Sequence, residues 1–247
     1  PRKYWSVLKS RLKKEGNELT TRCSQLKMTA ADGKRYATDC YCQSDINNIV
    51  RVIPSKHTAE FLDWFTYSEN TIDGRSKKKA YTFMQSNLVA EEDVGTTKAL
   101  QQIHAYLFGG LYEFAGQIRS KTISKGNFTF CLAQYLHNAL EAIDKMPETT
   151  FDEIVDKYVE MNVAHPFMEG NGRSTRIWLD LILKKRLGKC VDWSRIPKND
   201  YLNAMIVSHT NSTAIHELLK QALTDKIDDR EIFMKGIDYS YYYEQED

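Results

Sequence analysis

The sequence predicts a mainly α-helical protein that contains a small β-hairpin and is preceded by a basic α+β segment. Apolar residues recur at helical spacing through most of the chain from residue 97 onward. Strand-like alternation is limited to short stretches, one of them around Gly126 and Asn127. Residues 1–35 contain ten Lys or Arg against three Asp or Glu, whereas the whole chain carries a net charge of +1. Residues 1–35 are therefore strongly basic, whereas the rest of the chain carries a net negative charge.

The basic N-terminal segment is predicted to combine helices with a pair of strands. A first helix spans residues 4–14, and its apolar residues share one face: Trp5, Leu8 and Leu12. Two short strands are expected between residues 26 and 39, joined by a turn at Asp32 and Gly33. Residues 46–67 continue at helical spacing with one proline break. The excess of positive charge indicates an anionic partner for this segment.

Residues 68–79 separate this segment from the remainder of the chain. They are polar, show no apolar period and end in three consecutive lysines. Such a composition is typical of a solvated connection. We therefore expect a linker here and a domain boundary near residue 70, which divides the chain into segments 1–69 and 70–247.

Composition and cysteine usage limit the kinds of protein that the chain can be. No apolar run approaches the roughly 18 residues of a membrane span, and the sequence shows no signal peptide. The five cysteines form no C-x-x-C pair, and Cys40 and Cys42 have no histidine pair nearby. We expect reduced thiols, no zinc site and a cytoplasmic protein without a membrane partner. Because the chain begins with Pro1, we expect the natural translation start to lie upstream.

The second segment is predicted to be a series of helices interrupted by one hairpin. Helices are expected over Thr97–Phe108, Ala133–Asp144, residues 150–164, 198–208 and 212–223, and over about 229–245. A capping box at Thr150 and Glu153 opens one of them. His104 shares a face with apolar residues and is expected to be a packing residue. Alternating apolar residues predict the hairpin over residues 121–130.

Residues 165–176 hold a set of side chains that together indicate an anion site. Residues 170–172, Gly-Asn-Gly, lie where a loop becomes an apolar helix. The free N–H groups of a helix start bind anions, and glycines let the backbone approach a ligand closely. Arg173 and Arg176 lie three residues apart, so both guanidinium groups can reach the same phosphates.

Two further side chains of this stretch supply chemistry that a phosphate group requires. Glu169 would bind Mg²⁺, which prefers one or two carboxylates together with phosphate oxygens. His165 would take a proton from an incoming hydroxyl, because its ordinary pKa lies near neutrality. The stretch therefore predicts a nucleotide-handling site with a divalent cation.

The stretch resembles the signature of the Fic family, H-x-F-x-[DE]-G-N-G-R-x-x-R, and matches all eight of its fixed positions. Residues 111–119 are similar to the L-Y-x-[FW]-A-G-x-x-R segment that Fic domains carry ahead of it. The resemblance implies a Fic helical core over about residues 70–247 that transfers AMP from Mg²⁺-ATP to a protein hydroxyl. It implies His165 as the base, Glu169 as the Mg²⁺ ligand and a run of nucleotide-binding residues: Gly170, Asn171, Gly172, Arg173, Ser174, Thr175 and Arg176.

The same resemblance implies a function for the hairpin over residues 121–130. In Fic enzymes a comparable hairpin lies over the site and aligns the target as an added strand. This implies that Lys125 and Gly126 at the hairpin tip contact the nucleotide; the alternative is an ordinary structural hairpin. The implied partner is a protein with an exposed Ser, Thr or Tyr hydroxyl. Because some bacterial Fic toxins modify type II topoisomerases, such an enzyme is one expected target.

The end of the chain resembles the inhibitory motif [ST]-x-x-x-E-[GN] that one class of Fic proteins carries in a C-terminal helix. Ser240 and Glu244 match it, whereas Gln245 replaces the final Gly or Asn. We expect Glu244 to form a bidentate ion pair with Arg176 and so to prevent the productive pose of ATP. An ordinary helical end of the chain is the alternative. Three tyrosines beside this motif are candidate sites of self-modification: Tyr241, Tyr242 and Tyr243.

Residues 1–67 resemble the later half of the BRO-N domain of phage antirepressors, on stretches 4–21 and 26–34. This resemblance makes DNA a candidate partner, and the alternative is a basic helix that packs on the enzyme domain. Two other functions stay open: a Fic-fold phosphotransferase, which carries Lys in place of Gly172, and a DNA-binding regulator with a vestigial Fic portion. A homo-oligomer that controls access to Glu244 is also compatible with the sequence.

Overall fold

The computed structural model describes residues 2–29, 34–53, 55–86, 88–126 and 128–245. The chain divides into two compact units, Pro1–Glu69 and Asn70–Asp247. The expected turn at Asp32 and Gly33 and the break at Pro54 lie outside the described residues. Each unit is built from its own hydrophobic core.

The first unit is a small α+β arrangement, as the sequence predicts. Its elements are helix α1 (Arg2–Lys14), strands β1 (Ser24–Thr29) and β2 (Arg35–Cys40), and helices α2 (Gln43–Arg51) and α3 (Thr58–Asn70). The strands pair antiparallel with Ser24 opposite Cys40. Leu8 and Leu12 of the predicted apolar face are buried with Leu19 and Ile49. Among the described residues, the buried core of this unit is small, consisting of these four aliphatic side chains.

The second unit consists of helices with two further pairs of very short strands among its described residues. Its helices are α4 (Ile72–Thr82), α5 (Thr97–Phe108), α6 (Ala133–Asp144), α7 (Phe151–Ala164), α8 (Asn171–Leu187), α9 (Lys198–Val207), α10 (Thr213–Ala222) and α11 (Arg230–Tyr242). Its strands are β3 (Ser124–Lys125), β4 (Phe128–Thr129), β5 (Cys190–Val191) and β6 (Leu223–Thr224). The predicted fold class, mainly α with a small hairpin, is confirmed.

Residues 72–79 belong to helix α4, so the prediction of a linker over residues 68–79 was wrong. Thr71 caps the helix by accepting a hydrogen bond from the backbone N–H of Gly74 at 2.9 Å. The residues that α4 buries are small: Gly74, Ser76 and Ala80. The helix therefore packs by close approach of its backbone, and it has no row of large apolar side chains for a sequence pattern to detect.

Helix α8 lies at the centre of the second unit. Its buried residues include Trp178, Leu179, Ile182 and Leu183, and helices α5 and α7 pack on either side. The indole N–H of Trp178 donates to the carbonyl of Thr96 at 3.0 Å, which fixes the start of α5. Ten of the seventeen residues of α8 are buried, Arg173 and Arg176 among them. The candidate site therefore lies at the N-terminus of an enclosed helix.

Helix α11 packs against α4, α8 and the 3₁₀ turn Trp193–Arg195. The hydroxyl of Tyr241 donates to Ser76 Oγ at 2.9 Å. The hydroxyl of Tyr243 donates to the carbonyls of Trp193 and Ile196 at 3.0 and 2.8 Å. These contacts place the last helix beside the N-terminal half of α8. None of the helices in the described stretches is both long and apolar enough to cross a lipid bilayer.

Candidate active site

The loop between α7 and α8 is folded by a side chain of the signature. The predicted capping box of α7 is present, with Thr150 and Glu153 exchanging hydrogen bonds. In the loop that follows α7, Asn171 Oδ1 accepts from the N–H of Phe167 and Nδ2 donates to its carbonyl, both at 2.8 Å. Asn171 is buried. Its side chain therefore holds the backbone of the loop in place.

His104 supports the same loop from α5. Its Nδ1 accepts from the N–H of Gly116 at 2.8 Å, so Nε2 carries the proton and donates to the carbonyl of Glu169 at 2.9 Å. The ring stacks on Phe167 with centroids 3.8 Å apart. Burial lowers the pKa of His104 to about 4, which keeps the ring neutral. The expected packing role is confirmed, and the ring also ties residues 111–119 to the signature.

His165 is placed to act as a general base. Its Nδ1 lies 3.1 Å from the carbonyl of Asn162, which assigns the proton to Nδ1 and leaves the lone pair of Nε2 available. Its ring stacks on Phe130 of the hairpin at 3.7 Å. Burial lowers the pKa of His165 to about 4, and the positive charges of Arg119 and Lys125 act in the same direction. The imidazole is therefore neutral at physiological pH, as a proton acceptor must be.

Two glycines form the backbone cradle at the start of α8. Gly170 is the N-cap residue with φ +80°, and a Cβ there would overlap the ring of Phe108. A Cβ on Gly172 would overlap Oε1 of Glu244 and press against the guanidinium of Arg176. The first N–H groups of a helix have no partner within the helix. The carboxylate of Glu244 therefore lies where an anion would meet the positive end of α8.

Arg176 is bound on every side by the C-terminal part of the chain. Nε donates to Ser240 Oγ and Nη2 to the carbonyl of Ser240, both at 2.7 Å. Nη2 also contacts Oε1 of Glu244 at 2.5 Å, and Nη1 donates to the hydroxyl of Tyr201 at 3.2 Å. The predicted pair of Glu244 and Arg176 is present, but a single carboxylate oxygen makes it. The expected bidentate geometry was wrong, because Ser240 and Tyr201 accept from the other N–H groups of the guanidinium.

The charge on Glu244 is held by its surroundings. Burial alone would raise the pKa of this carboxyl, but Arg176 outweighs that effect, with Arg173 and Lys125 adding to it, and the pKa falls. The same contacts raise the pKa of Arg176. The pair is therefore ionised throughout the neutral range.

Arg173 lies between the rings of Phe108 and Tyr241, 5.0 and 5.4 Å from their centroids. Nη1 contacts the carboxylate of Asp73, and Nη2 contacts Glu169 Oε1 at 2.9 Å. Its Nε is buried without a hydrogen-bond partner among the described residues. Asp73 was missed by sequence reasoning because it lies on α4, which was expected to be a linker.

The hydroxyls of Ser174 and Thr175, which were predicted to bind the nucleotide, are engaged within α8. Ser174 Oγ donates to the carbonyl of Gly170 at 3.0 Å, and Thr175 Oγ1 donates to that of Asn171 at 2.9 Å. Both side chains are buried. They point along the helix toward its preceding turn, as hydroxyl side chains in helices often do, and have no free group for a phosphate.

The hairpin of β3 and β4 lies beside the base. Lys125 pairs with Phe128 across the strands, and Gly126 follows at φ +58°. Lys125 is exposed, and its charge lowers the pKa of both His165 and Glu244, which places the ammonium group near both. The tip also contains Asn127, which is outside the described residues. The contact of Lys125 and Gly126 with the nucleotide stays a prediction.

Of the three tyrosines considered as sites of self-modification, only Tyr242 presents an exposed side chain, at 47 %. Tyr241 and Tyr243 are buried and use their hydroxyls as donors inside the unit. Among the three, Tyr242 is therefore the one whose side chain is accessible in this conformation, and self-modification stays a prediction.

The site contains one carboxylate suited to a divalent cation. Glu169 is 56 % exposed, and its Oε1 accepts from the N–H of Gly170 and from Arg173, which leaves Oε2 open. The described residues contain no group of three or more His, Cys, Asp or Glu side chains that could hold a metal ion. This donor set fits Mg²⁺ bound mainly through the phosphates of a nucleotide, since Mg²⁺ keeps few protein ligands.

The chain matches a known family over the region just described. Residues 95–183 match the model of the Fic/DOC family. Protein adenylyltransferase VbhT of Bartonella schoenbuchensis is 31 % identical over 140 residues, which cover 51 % of this chain and 29 % of VbhT. The Sinorhizobium fredii protein named Probable protein adenylyltransferase y4lH is 32 % identical over 124 residues, covering 45 % of this chain and 64 % of that protein. The chain therefore spans less than two thirds of either relative.

Solved structures share the fold at low sequence identity. The Bartonella tribocorum effector BepC, crystallised with bound AMPPNP, has a TM-score of 0.54 at 18 % identity, covering 62 % of this chain and 84 % of BepC. The N-terminal Fic domain of a Bartonella quintana effector with bound ADP has a TM-score of 0.55 at 18 % identity, covering 64 % and 86 %. At this level of identity, the similarity concerns the fold alone.

Proposed function

Because the chain carries a Fic domain, we propose that it is a protein adenylyltransferase, which moves AMP from ATP to a hydroxyl group of a target protein. The observation that carries this proposal is the neutral imidazole of His165, which has its proton on Nδ1 and ends α7 five residues before the N-cap of α8. The relatives named as adenylyltransferases support it. A protein partner is therefore part of the proposal, and a type II topoisomerase is one candidate.

The proposed reaction is a displacement at the α-phosphorus of ATP. The oxygen of a Ser, Thr or Tyr hydroxyl on the target attacks the α-phosphorus of ATP and gives its proton to His165 Nε2. The bond between the α-phosphorus and the bridging oxygen of the β-phosphate breaks, and pyrophosphate leaves. Backbone N–H groups at the start of α8 and the guanidinium of Arg173 stabilise the negative charge on the phosphates. The side chain of Asn171 folds the loop by bonding to the backbone of Phe167.

The residues of the cradle fit a nucleotide with a divalent cation. Gly172 leaves space that any side chain would fill, and the buried Nε of Arg173 has a free donor. Mg²⁺ bound through Glu169 and phosphate oxygens would neutralise part of the phosphate charge. Arg173 would then exchange its contact with Glu169 for one with a phosphate.

We further propose that Glu244 inhibits this activity in the conformation described. Its carboxylate occupies the cradle over Gly172 and neutralises Arg176. A phosphate at the same place would meet a negative charge and would find the second guanidinium already bound. ATP that enters beside Glu244 is therefore shifted from the aligned pose, and a shift of about 1 Å can lower a rate on the order of a hundredfold.

AMP transfer and phosphate transfer are separated by the position of a radioactive label. The Glu244→Gly protein is incubated with a cell lysate and ATP labelled on either the α- or the γ-phosphorus. We expect protein bands labelled from α-labelled ATP only, and no bands in the Glu244→Gly, His165→Ala double variant. Labelling from γ-labelled ATP alone would identify a phosphotransferase and overturn the proposal. Identification of the labelled bands gives the target and tests the topoisomerase expectation.

A further inference from the structure

Arg119 is a buried cation that joins the loop of His165 to the hairpin. Its side chain is 5 % exposed, and backbone carbonyls are its acceptors among the described residues. Nε donates to the carbonyl of His165 at 2.7 Å, and Nη2 donates to that of Ala164 at 3.0 Å. The backbone N–H of Arg119 donates to the carbonyl of Pro166 at 2.8 Å. One residue thus binds three consecutive carbonyls at the end of α7.

The same guanidinium holds both ends of the hairpin. Nη1 donates to the carbonyl of Lys121 at 2.7 Å, and Nη2 donates to that of Cys131 at 2.5 Å. These two carbonyls lie on either side of β3 and β4. Phe130, next to Cys131, stacks on the ring of His165. The base and the hairpin are therefore connected to one planar group in the interior.

The backbone of His165 needs such support. Its φ of +48° makes it the one residue other than glycine with a positive φ in the described part of the chain. The left-handed region is unfavourable for a residue with a Cβ, and the surroundings must enforce it. A hydrogen bond from Arg119 to the carbonyl of His165 fixes the peptide plane that follows this residue.

We propose that Arg119 is a positioning residue that holds the base His165 and the hairpin beside it in one fixed arrangement. This inference rests on the proposed function, because it assigns to Arg119 the alignment of the base with a target held by the hairpin. A buried cation without a carboxylate partner is costly, and burial lowers the pKa of Arg119. Hydrogen bonds from the guanidinium to carbonyl groups of two separate loops offset this cost. A guanidinium can bond to both loops at once because it carries several N–H donors in one plane.

The substitution Arg119→Lys tests the role of the guanidinium, because it keeps the positive charge and removes the planar set of N–H donors. In the full-length Glu244→Gly protein, we expect kcat for AMP transfer to fall about tenfold or more, with the KM for ATP nearly unchanged, since misalignment affects the chemical step. Arg75→Lys, an exposed arginine on α4, is the matched control and should leave both constants unchanged. An unchanged kcat in Arg119→Lys would overturn the proposal, and so would loss of a cooperative unfolding transition, because positioning requires a folded domain.

A measurement without catalysis separates this inference from the proposed function. The charge of Arg119 lowers the pKa of His165, so Arg119→Gln should raise that pKa when the ring protons of His165 are titrated by NMR. Amide hydrogen exchange over residues 121–131 should become faster in Arg119→Gln and in Arg119→Lys, but not in Arg75→Lys. An unchanged titration together with unchanged exchange would overturn the positioning role. Absence of AMP transfer in Glu244→Gly itself would overturn the proposed function and leave these two readouts valid.

Discussion

The carboxylate oxygen Oε1 of Glu244 lies against Cα of Gly172, at the positive end of α8. The same oxygen contacts Nη2 of Arg176 at 2.5 Å. An anion of the protein itself is therefore bound where the signature would place a phosphate. Gly172 and Glu244 are seventy-two positions apart in the chain, and the packing of α11 brings them together.

The position of Glu244 is fixed by contacts around it. Lys198 Nζ donates to the carbonyl of Gln245 at 2.7 Å and lies 5.1 Å from the ring centre of Tyr242. Tyr243 stacks on Tyr201 with ring centroids 4.7 Å apart. Gln245, which departs from the Gly or Asn of the inhibitory motif, thus contributes its backbone carbonyl. Any residue at that position can supply this group.

Gly172→Ala is expected to remove the contact of Glu244 without creating activity. The new methyl group overlaps the place of Oε1 and pushes the carboxylate away, but it also fills the cradle that phosphates need. The rate should therefore stay at or below that of the wild type, measured as transfer of α-labelled AMP. A rate near that of Glu244→Gly would show that the cradle tolerates a Cβ and would contradict this account of Gly172.

The pH dependence of AMP transfer is expected to reflect a base with a low pKa. Because the pKa of His165 is lowered to about 4, the ring stays neutral as the pH falls until that value is approached. The rate of Glu244→Gly, followed at saturating ATP, should be flat from about pH 8 to about pH 6 and should decline near pH 4. A free histidine would lose half of its basic form near pH 6.5. A midpoint at that higher value would contradict the buried environment described for His165.

Ser240→Ala is expected to relieve inhibition partly. Ser240 Oγ accepts from Nε of Arg176, and without it this N–H becomes available to a phosphate while Glu244 keeps its own contact. The rate of AMP transfer should lie between those of the wild type and Glu244→Gly. Ser240→Thr keeps the hydroxyl and serves as the control, and its rate should be close to that of the wild type. A Ser240→Ala rate equal to that of the wild type would mean that Ser240 has no part in restraining Arg176.

Asp180 is expected to make the stability of the protein depend on pH. Burial raises its pKa to about 7, although Trp193 Nε1 and the N–H of Val191 both donate to it at 2.8 Å. The folded state thus holds a proton that the unfolded state releases near pH 4, so stability falls as the pH rises from about 4 to about 7. Each unit of pKa corresponds to about 1.4 kcal/mol. The free energy of unfolding is measured in urea for wild type and for Asp180→Asn. The wild-type value minus the Asp180→Asn value should decrease over this pH range. A constant difference would contradict the raised pKa of Asp180.

Much of the site was predictable because its chemistry is local in the sequence. His165, Glu169, the glycines and both arginines lie within twelve residues, and helix and capping patterns placed them at a helix start. Ser174 and Thr175 could not be assigned in this way. Adjacent residues of a helix face different directions, and which of them reach the ligand depends on how α8 is enclosed.

The contacts that restrain the two arginines were predictable only in part. Ser240 and Glu244 were found through a motif, but the division of the guanidinium of Arg176 between them depends on distances that spacing does not give. Asp73 left no signal, because α4 packs through small residues and lacks an apolar period. Arg119 was visible as part of a matched segment, yet its five backbone contacts to two loops appear only in three dimensions.

The initial rate of AMP transfer shows whether Glu244 restrains the active site. Wild type and Glu244→Gly are compared at equal concentrations with α-labelled ATP and Mg²⁺, and Glu217→Gly on helix α10 serves as the control for loss of a glutamate. We expect Glu244→Gly to be faster than wild type by at least about tenfold, and Glu217→Gly to match the wild type. Equal rates for wild type and Glu244→Gly would contradict the account.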